Sequence, residues 1–279
     1  MNNKKIFIAL NDYNIPNPIA TYGTYLAKRL DRTALFYGVE KVPVLRQPVA
    51  ITGTGIEEPS MANINLVKVE ANKRLSALQM EASKLYPNVT YDLDIGFPES
   101  KIIDKAEEES PYVVVLEGNN ELTTLHEWFG TYETRLAENI DAPVLVLPSN
   151  YSWQPVNRIV YLMELDDGKV ENMRFLTDVA EELNANIAVV LLSPERNDLE
   201  IERYNNIIRT MRNFLGYKNV NFHQIFTQDS ANTVDMLMNE VQANWLAFEH
   251  NSKSFLERML NSYNSKRIIL QSEIPVLVF

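Results

Sequence analysis

Cysteine is absent from the 279 residues, which excludes disulfides, iron–sulfur ligation, thiol catalysis and cysteine-bound zinc. Glycine is scarce, nine in the whole chain, and none occurs from Tyr217 to Phe279. A phosphate cradle made of glycine backbone therefore has no material in that closing segment. Cations are outnumbered, 26 Lys and Arg against 37 Asp and Glu, for a net charge of −11. That balance argues against a nucleic-acid or anionic-membrane surface, since both need clustered Lys and Arg. No apolar run approaches a membrane span, and the longest, Ile187 to Leu192, is strand-sized. The stretch Ile6 to Leu10 is too short for a signal-peptide core and is followed at once by Asn11-Asp12, so a cytoplasmic location is expected. His126 and His223 are isolated, with no Ser or Cys at a nucleophile elbow, and suggest no triad.

What the chain does contain, it contains twice. Tyr112 to Leu116 is a buried-strand run, turning at Glu117-Gly118-Asn119-Asn120 and leading through Leu122 to Ile140 into Pro143-Val144-Leu145-Val146-Leu147. The last segment repeats the plan: Trp245 to Phe248, Glu249-His250-Asn251-Ser252, Phe255 to Leu270, then Pro275-Val276-Leu277-Val278-Phe279. The spacing from Glu117 to Pro143 equals that from Glu249 to Pro275. Upstream of each copy, apolar runs alternate with helical stripes. Lys5–Leu10, Thr33–Val39 and Val89–Ile95 are expected strands, separated by helices through Ile19–Leu30 and Val67–Leu85, with Ile102–Ala106 on a further helix. The second pass has strands at Arg158–Met163, Ala185–Leu192 and Asn221–Thr227, with helical stripes at Leu176–Leu183, Ile201–Leu215 and Val234–Val241.

This alternation implies parallel sheets with right-handed crossovers. The expected fold is α/β, two repeated doubly wound units of about five strands each, in order 3-2-1-4-5, with helices on both faces. The units are placed at 1–148 and 157–279, joined by the linker 149–156. The Pro- and Gly-bearing segment from Glu40 to Ser60 is the extra length of the first copy, read as a lid, a contact surface or a disordered loop.

With these elements in place the chain resembles a tandem universal stress protein. The resemblance rests on the element order, on Leu26-Ala27-Lys28-Arg29-Leu30 leading into the second strand, and on Gly96-Phe97-Pro98 before the third helix. A Gly-Thr pair, a short helix and a Pro-Val-Leu-Val strand complete it. The resemblance implies a nucleotide crevice at the carboxyl ends of the first and fourth strands, where an open doubly wound sheet also binds ligands on physical grounds. It implies ATP held by Asn11, Asp12, Val39, Gly118, Gly130 and Thr131 in the first unit. It also implies pairing of the two closing strands across a pseudo-twofold axis, an internal pseudo-dimer that leaves further association into a homodimer open.

The implied motif is damaged in both copies. Asn11 stands where an Asp closes the first strand, and Glu121 replaces the second glycine of the phosphate loop. In the second copy Glu164 takes the Asp position, His250-Asn251-Ser252-Lys253 replaces the glycine loop, and Ser262-Tyr263 replaces Gly130-Thr131. Glu117 and Glu249 stand beside the place of the phosphates. A carboxylate about 5 Å from a phosphate in a partly desolvated cleft repels it by roughly 1–3 kcal/mol. Gly118 and Gly130-Thr131 equally serve as a turn glycine and a helix cap. Glu164, Asp166, Asp167, Glu249 and His250 are weak candidates for a divalent-cation site, with solvated acidic turns as the plainer account. Trp128, Phe129, Phe255 and Met259 form either a protein-binding patch or core packing.

The expectation is a non-catalytic stress-response module acting on proteins or a small molecule, without nucleic acid or membrane. The alternatives are ATP binding, with weak hydrolysis, through the first unit, and a metal-dependent phosphohydrolase.

Overall fold

The computed structural model describes residues 4–41, 61–118, 132–149, 151–163, 170–193, 195–226, 242–249 and 274–279. Strand β1 (Ile6–Leu10) is buried at every position, as a strand covered on both faces must be. Helix α1 (Pro18–Arg29) follows. Pro18 suits its first turn, and Asn17 caps it by accepting the Ala20 N–H on Oδ1 at 2.8 Å. Gly23 lets α1 lie flush on the sheet, since a Cβ there would fall 2.4 Å from Ile8 Cγ1. The first half continues through β2 (Ala34–Glu40), α2 (Met61–Leu85), β3 (Val89–Ile95), α3 (Pro98–Glu109), β4 (Val113–Glu117), α4 (Tyr132–Asn139) and β5 (Val144–Leu147). The second half has β6 (Arg158–Met163), α5 (Val170–Leu183), β7 (Asn186–Ser193), α6 (Asp198–Phe214), β8 (Val220–Phe226), β9 (Trp245–Phe248) and β10 (Val276–Val278).

All ten strands join one sheet, in the order β3-β2-β1-β4-β5-β10-β9-β6-β7-β8. Each half therefore keeps the expected 3-2-1-4-5 order. Every pairing is parallel except the central one, where β5 and β10 run antiparallel with Leu145 opposite Leu277. The closing strands, which taken singly are bare apolar edges, cover each other. The outer strands are β3 and β8, with Thr90, Asn221 and His223 exposed on them; His223 thus lies on a terminal strand and not in the core.

Two apolar layers sandwich the sheet. One gathers Ile8, Leu10, Tyr22, Leu26, Leu75 and, from the second half, Tyr161, Leu176 and Trp245. The other gathers Phe7, Tyr37, Ile102, Val114, Leu136 and Leu246. On this second face α3 and α4 are tied by Arg135, whose Nε and Nη2 donate to Glu99 at 3.0 and 2.8 Å.

The segment between β5 and β6 does more than connect them. Trp153 stacks on Tyr25 with ring centroids 5.6 Å apart and meets Tyr22 edge-on at 4.9 Å. Tyr22 in turn accepts the Trp245 indole N–H at 2.7 Å, a buried bond between the two halves. Tyr112 packs on Phe175, Phe175 on Phe279, and Phe279 on Tyr161. Among the described residues no helix is long and apolar enough to cross a membrane.

Helix α2 begins at Met61, earlier than its Val67 stripe suggests, and buries Ala71, Leu75 and Leu78 as expected. The 42–60 segment lies outside the described residues. So do the expected helices at 234–241 and 255–270.

Candidate functional site

A doubly wound sheet takes ligands at the carboxyl ends of its first and fourth strands, where their crossovers leave for opposite faces, as those leading to α1 and α4 do in the first half. In the first half those ends are Leu10 and Glu117, carried by β1 and β4, which pair directly. Asn11 is exposed just past β1. Asp12 is exposed too, but its carboxylate turns back into its own loop. Oδ1 accepts the Asn14 N–H at 2.9 Å and the Asn17 amide at 3.3 Å. This Asx turn sets up the cap of α1.

The next residue, Tyr13, is almost wholly buried. Its ring lies on Gly38 of β2, beneath the Arg74 guanidinium of α2, whose carbon is 5.5 Å from the ring centroid. Burial, then the nearby Glu40 charge, pushes the phenol above its ordinary range despite Arg74. Arg74 Nη2 donates to Glu40 Oε1 at 3.2 Å. Val39, beside Gly38, packs toward the opposite face. The residues that shape this end of the site, Tyr13 and Arg74, were not singled out from the sequence. The available signal was Gly38, a lone glycine inside an apolar strand run, which marks close approach by another group.

On the β4 side, Gly118 has both backbone groups engaged. Its N–H donates to the Leu147 carbonyl at 2.8 Å, extending the β4–β5 ladder. Its carbonyl accepts the Ser149 hydroxyl at 2.8 Å. Gly130 and Thr131 lie outside the described residues, as do Trp128, Phe129 and His126; α4 opens at Tyr132, directly after that pair.

In the second half, Glu249 directly follows β9 and is 3% exposed. Its Oε1 accepts the Tyr161 hydroxyl at 2.7 Å within the core. Glu164, Asp166, Asp167 and His250 lie outside the described residues, as do Phe255 and Met259. Among the described residues no group of three or more His, Cys, Asp or Glu side chains is arranged to hold a metal ion.

Solved structures share this architecture over the whole chain. A universal stress protein from Archaeoglobus fulgidus DSM 4304 superposes with a TM-score of 0.66 at 11% identity, covering 99% of this chain and 96% of its own. The chain has the universal stress protein fold. A Pseudomonas aeruginosa UCBPP-PA14 protein assigned to the universal stress proteins matches at 0.62 and 13% identity, covering 100% and 93%. The cytoplasmic domain of a prokaryotic cation chloride cotransporter matches at 0.52 and 12% identity, covering 99% and 95%. No protein-family model and no curated protein matches the sequence. At such identities the likeness is one of architecture, and the universal stress protein fold by itself assigns no ligand.

Proposed function

We propose that this chain is a cytoplasmic, non-catalytic binding and interaction module of the universal stress protein type. Its two units, 1–148 and 157–279 about the linker 149–156, act as an internal pseudo-dimer, and neither retains a working nucleotide cradle. The observation that carries this reading is Gly118. A phosphate loop needs free backbone N–H groups, and the N–H of its opening glycine is bonded to Leu147. The Asp12 carboxylate is bonded within its own loop, and Tyr13 fills the adjoining space over Gly38. These residues do not fit ATP. The rim instead exposes apolar side chains, Ile15 at 53% and Phe97 at 83%, which suits contact with a protein or a small apolar ligand.

Thermal shift with Mg-ATP, with AMP and with divalent metals alone tests the reading. A ligand at 100 times its Kd stabilises by about 2.7 kcal/mol, several degrees for a chain of this size. No shift is expected with any of them. One observation favours a second reading, ATP binding through the first unit: α4 opens immediately after Gly130-Thr131, and a helix N-terminus attracts anions. An ATP shift abolished by Gly130→Glu would establish that second reading in place of the first.

A further inference from the structure

The sheet ends on β3 at one side and on β8 at the other, and the two edges are built differently. β3 carries Asp92 and Asp94, which ion-pair with Lys105 and Lys101 at 2.9 and 4.0 Å, a charged border of the kind that wards off further strands. β8, from Val220 to Phe226, has no Asp, Glu, Lys or Arg. The Ile187 N–H donates to the Asn219 carbonyl at 2.9 Å, and a parallel ladder engages alternate residues. Asn221, His223 and Ile225 therefore turn their backbone groups to β7, and Val220, Phe222 and Gln224 turn theirs outward. On that outer side β8 meets no strand among the described residues. A cavity of about 360 Å³ opens beside the first residues of β8 and the end of α6, with Leu215, Tyr217, Val220 and Phe222 as its apolar walls. A Cβ at Gly216, also in its lining, would meet nothing within 4 Å. Arg212 and Lys218 complete the cavity, both exposed. The Arg212 guanidinium carbon lies 5.7 Å from the Phe222 ring centroid. Among the described residues neither cation makes an ion pair, in a chain whose net charge is −11. Arg212, in the last turn of α6, also suits the helix dipole; Lys218 lies beyond the helix.

We infer that this edge receives an extended peptide of a partner protein, antiparallel to β8, with its terminal carboxylate in the cavity of Arg212 and Lys218. The outward backbone groups supply main-chain pairing, and the cavity fixes the register by taking the last side chain and the carboxylate. The direction follows from the cavity's place at the amino end of β8, where an antiparallel strand finishes. Charge argues against a second copy as the occupant. Two β8 strands paired about His223 would set Val220 opposite Phe226, and the Arg196 guanidinium carbon lies 5.7 Å from the Phe226 ring centroid. Arg196 of one copy would then stand toward Arg212 and Lys218 of the other, cations against cations. The edge is remote in the fold from the exposed rim of the first half, so the inference adds a contact surface and does not rest on the reading above.

Fluorescence anisotropy with the full-length chain reads the site. The probes are a pool of fluorescein-labelled hexapeptides, Thr alternating with Val, Ile or Phe, that end in a free carboxylate, and the same pool ending in an amide. The free acids should bind, and the amides roughly five-fold more weakly. Arg212→Gln combined with Lys218→Gln, two exposed substitutions, should lower the acids to the affinity of the amides and leave the amides unchanged. Val220→Pro removes an outward N–H while sparing the ladder to β7, and Gly216→Phe fills the cavity; each should abolish binding. Free acids that do not bind overturn the proposal, as do acids and amides that bind alike. Binding undiminished by Gly216→Phe or Val220→Pro overturns it too. A chain that sediments as a dimer, and as a monomer with Val220→Pro, assigns the edge to a second copy in place of the peptide.

Discussion

Individual side chains divide into those whose role the sequence carries and those whose role depends on where a neighbour points. Gly23 depends on such a neighbour, Ile8. Gly23→Ala drives a Cβ into Ile8 and should cost about 1–3 kcal/mol in urea denaturation, less when it is introduced into an Ile8→Val background. The Tyr22–Trp245 bond is of the same kind. Trp245→Phe leaves the buried Tyr22 hydroxyl without its donor and should cost about 1–3 kcal/mol. A double-mutant cycle with Tyr22→Phe should return a coupling of about 0.5–3 kcal/mol. Charge makes its own prediction. Burial pushes the Glu109 carboxyl up, but Lys5 and Lys105, at 2.6 and 3.4 Å, outweigh it and hold the group below the usual carboxylate range. In Asp92 burial is likewise overcome by the hydrogen bond from Lys105. A carboxyl whose folded pKa is depressed adds stability above its unfolded pKa and loses it as pH falls through the folded value. Lys105→Met should therefore be less stable than wild type at neutral pH, and the gap should narrow below about pH 4 in denaturation curves. The candidate site was legible only in part at this scale. The damaged motif could be read, but the direction of the Asp12 carboxylate is set by Asn14 and Asn17. The loss of the Gly118 N–H is set by the β4–β5 register running one residue past the strand.

At the scale of elements the strands are legible in the sequence, because strands buried on both faces write themselves as unbroken apolar runs such as Val113-Val114-Val115-Leu116. Boundaries moved by a residue where a polar end still pairs, as Glu40 and Glu117 do. Helix α2 starts before its apolar stripe, since Ile64 is only half-buried and Asn65 and Leu66 are exposed. The β5–β10 seam is the element on which the assembly turns. Leu277 and Leu145 are fully buried opposite each other, so Leu277→Ala should cost about 2–5 kcal/mol, measured by chemical denaturation. A chain stopped at residue 148 would leave β5 bare. It should associate into dimers on size-exclusion chromatography, two β5 strands replacing the missing pair.

For the molecule as a whole, sheet and aromatic packing both run across the midline. Scanning calorimetry should therefore show one cooperative transition and not two, with calorimetric and van't Hoff enthalpies in agreement. The seam also has a consequence for how the molecule changes over time. Because the partner strand is tethered, dilution does not separate the halves. In a pair of identical chains any substitution is felt at both mouths at once. Here Ile8 and Tyr161, at matching places in the first strand of each half, already differ, and only the latter holds a buried glutamate. One mouth is free to be rebuilt while the other keeps the scaffold standing.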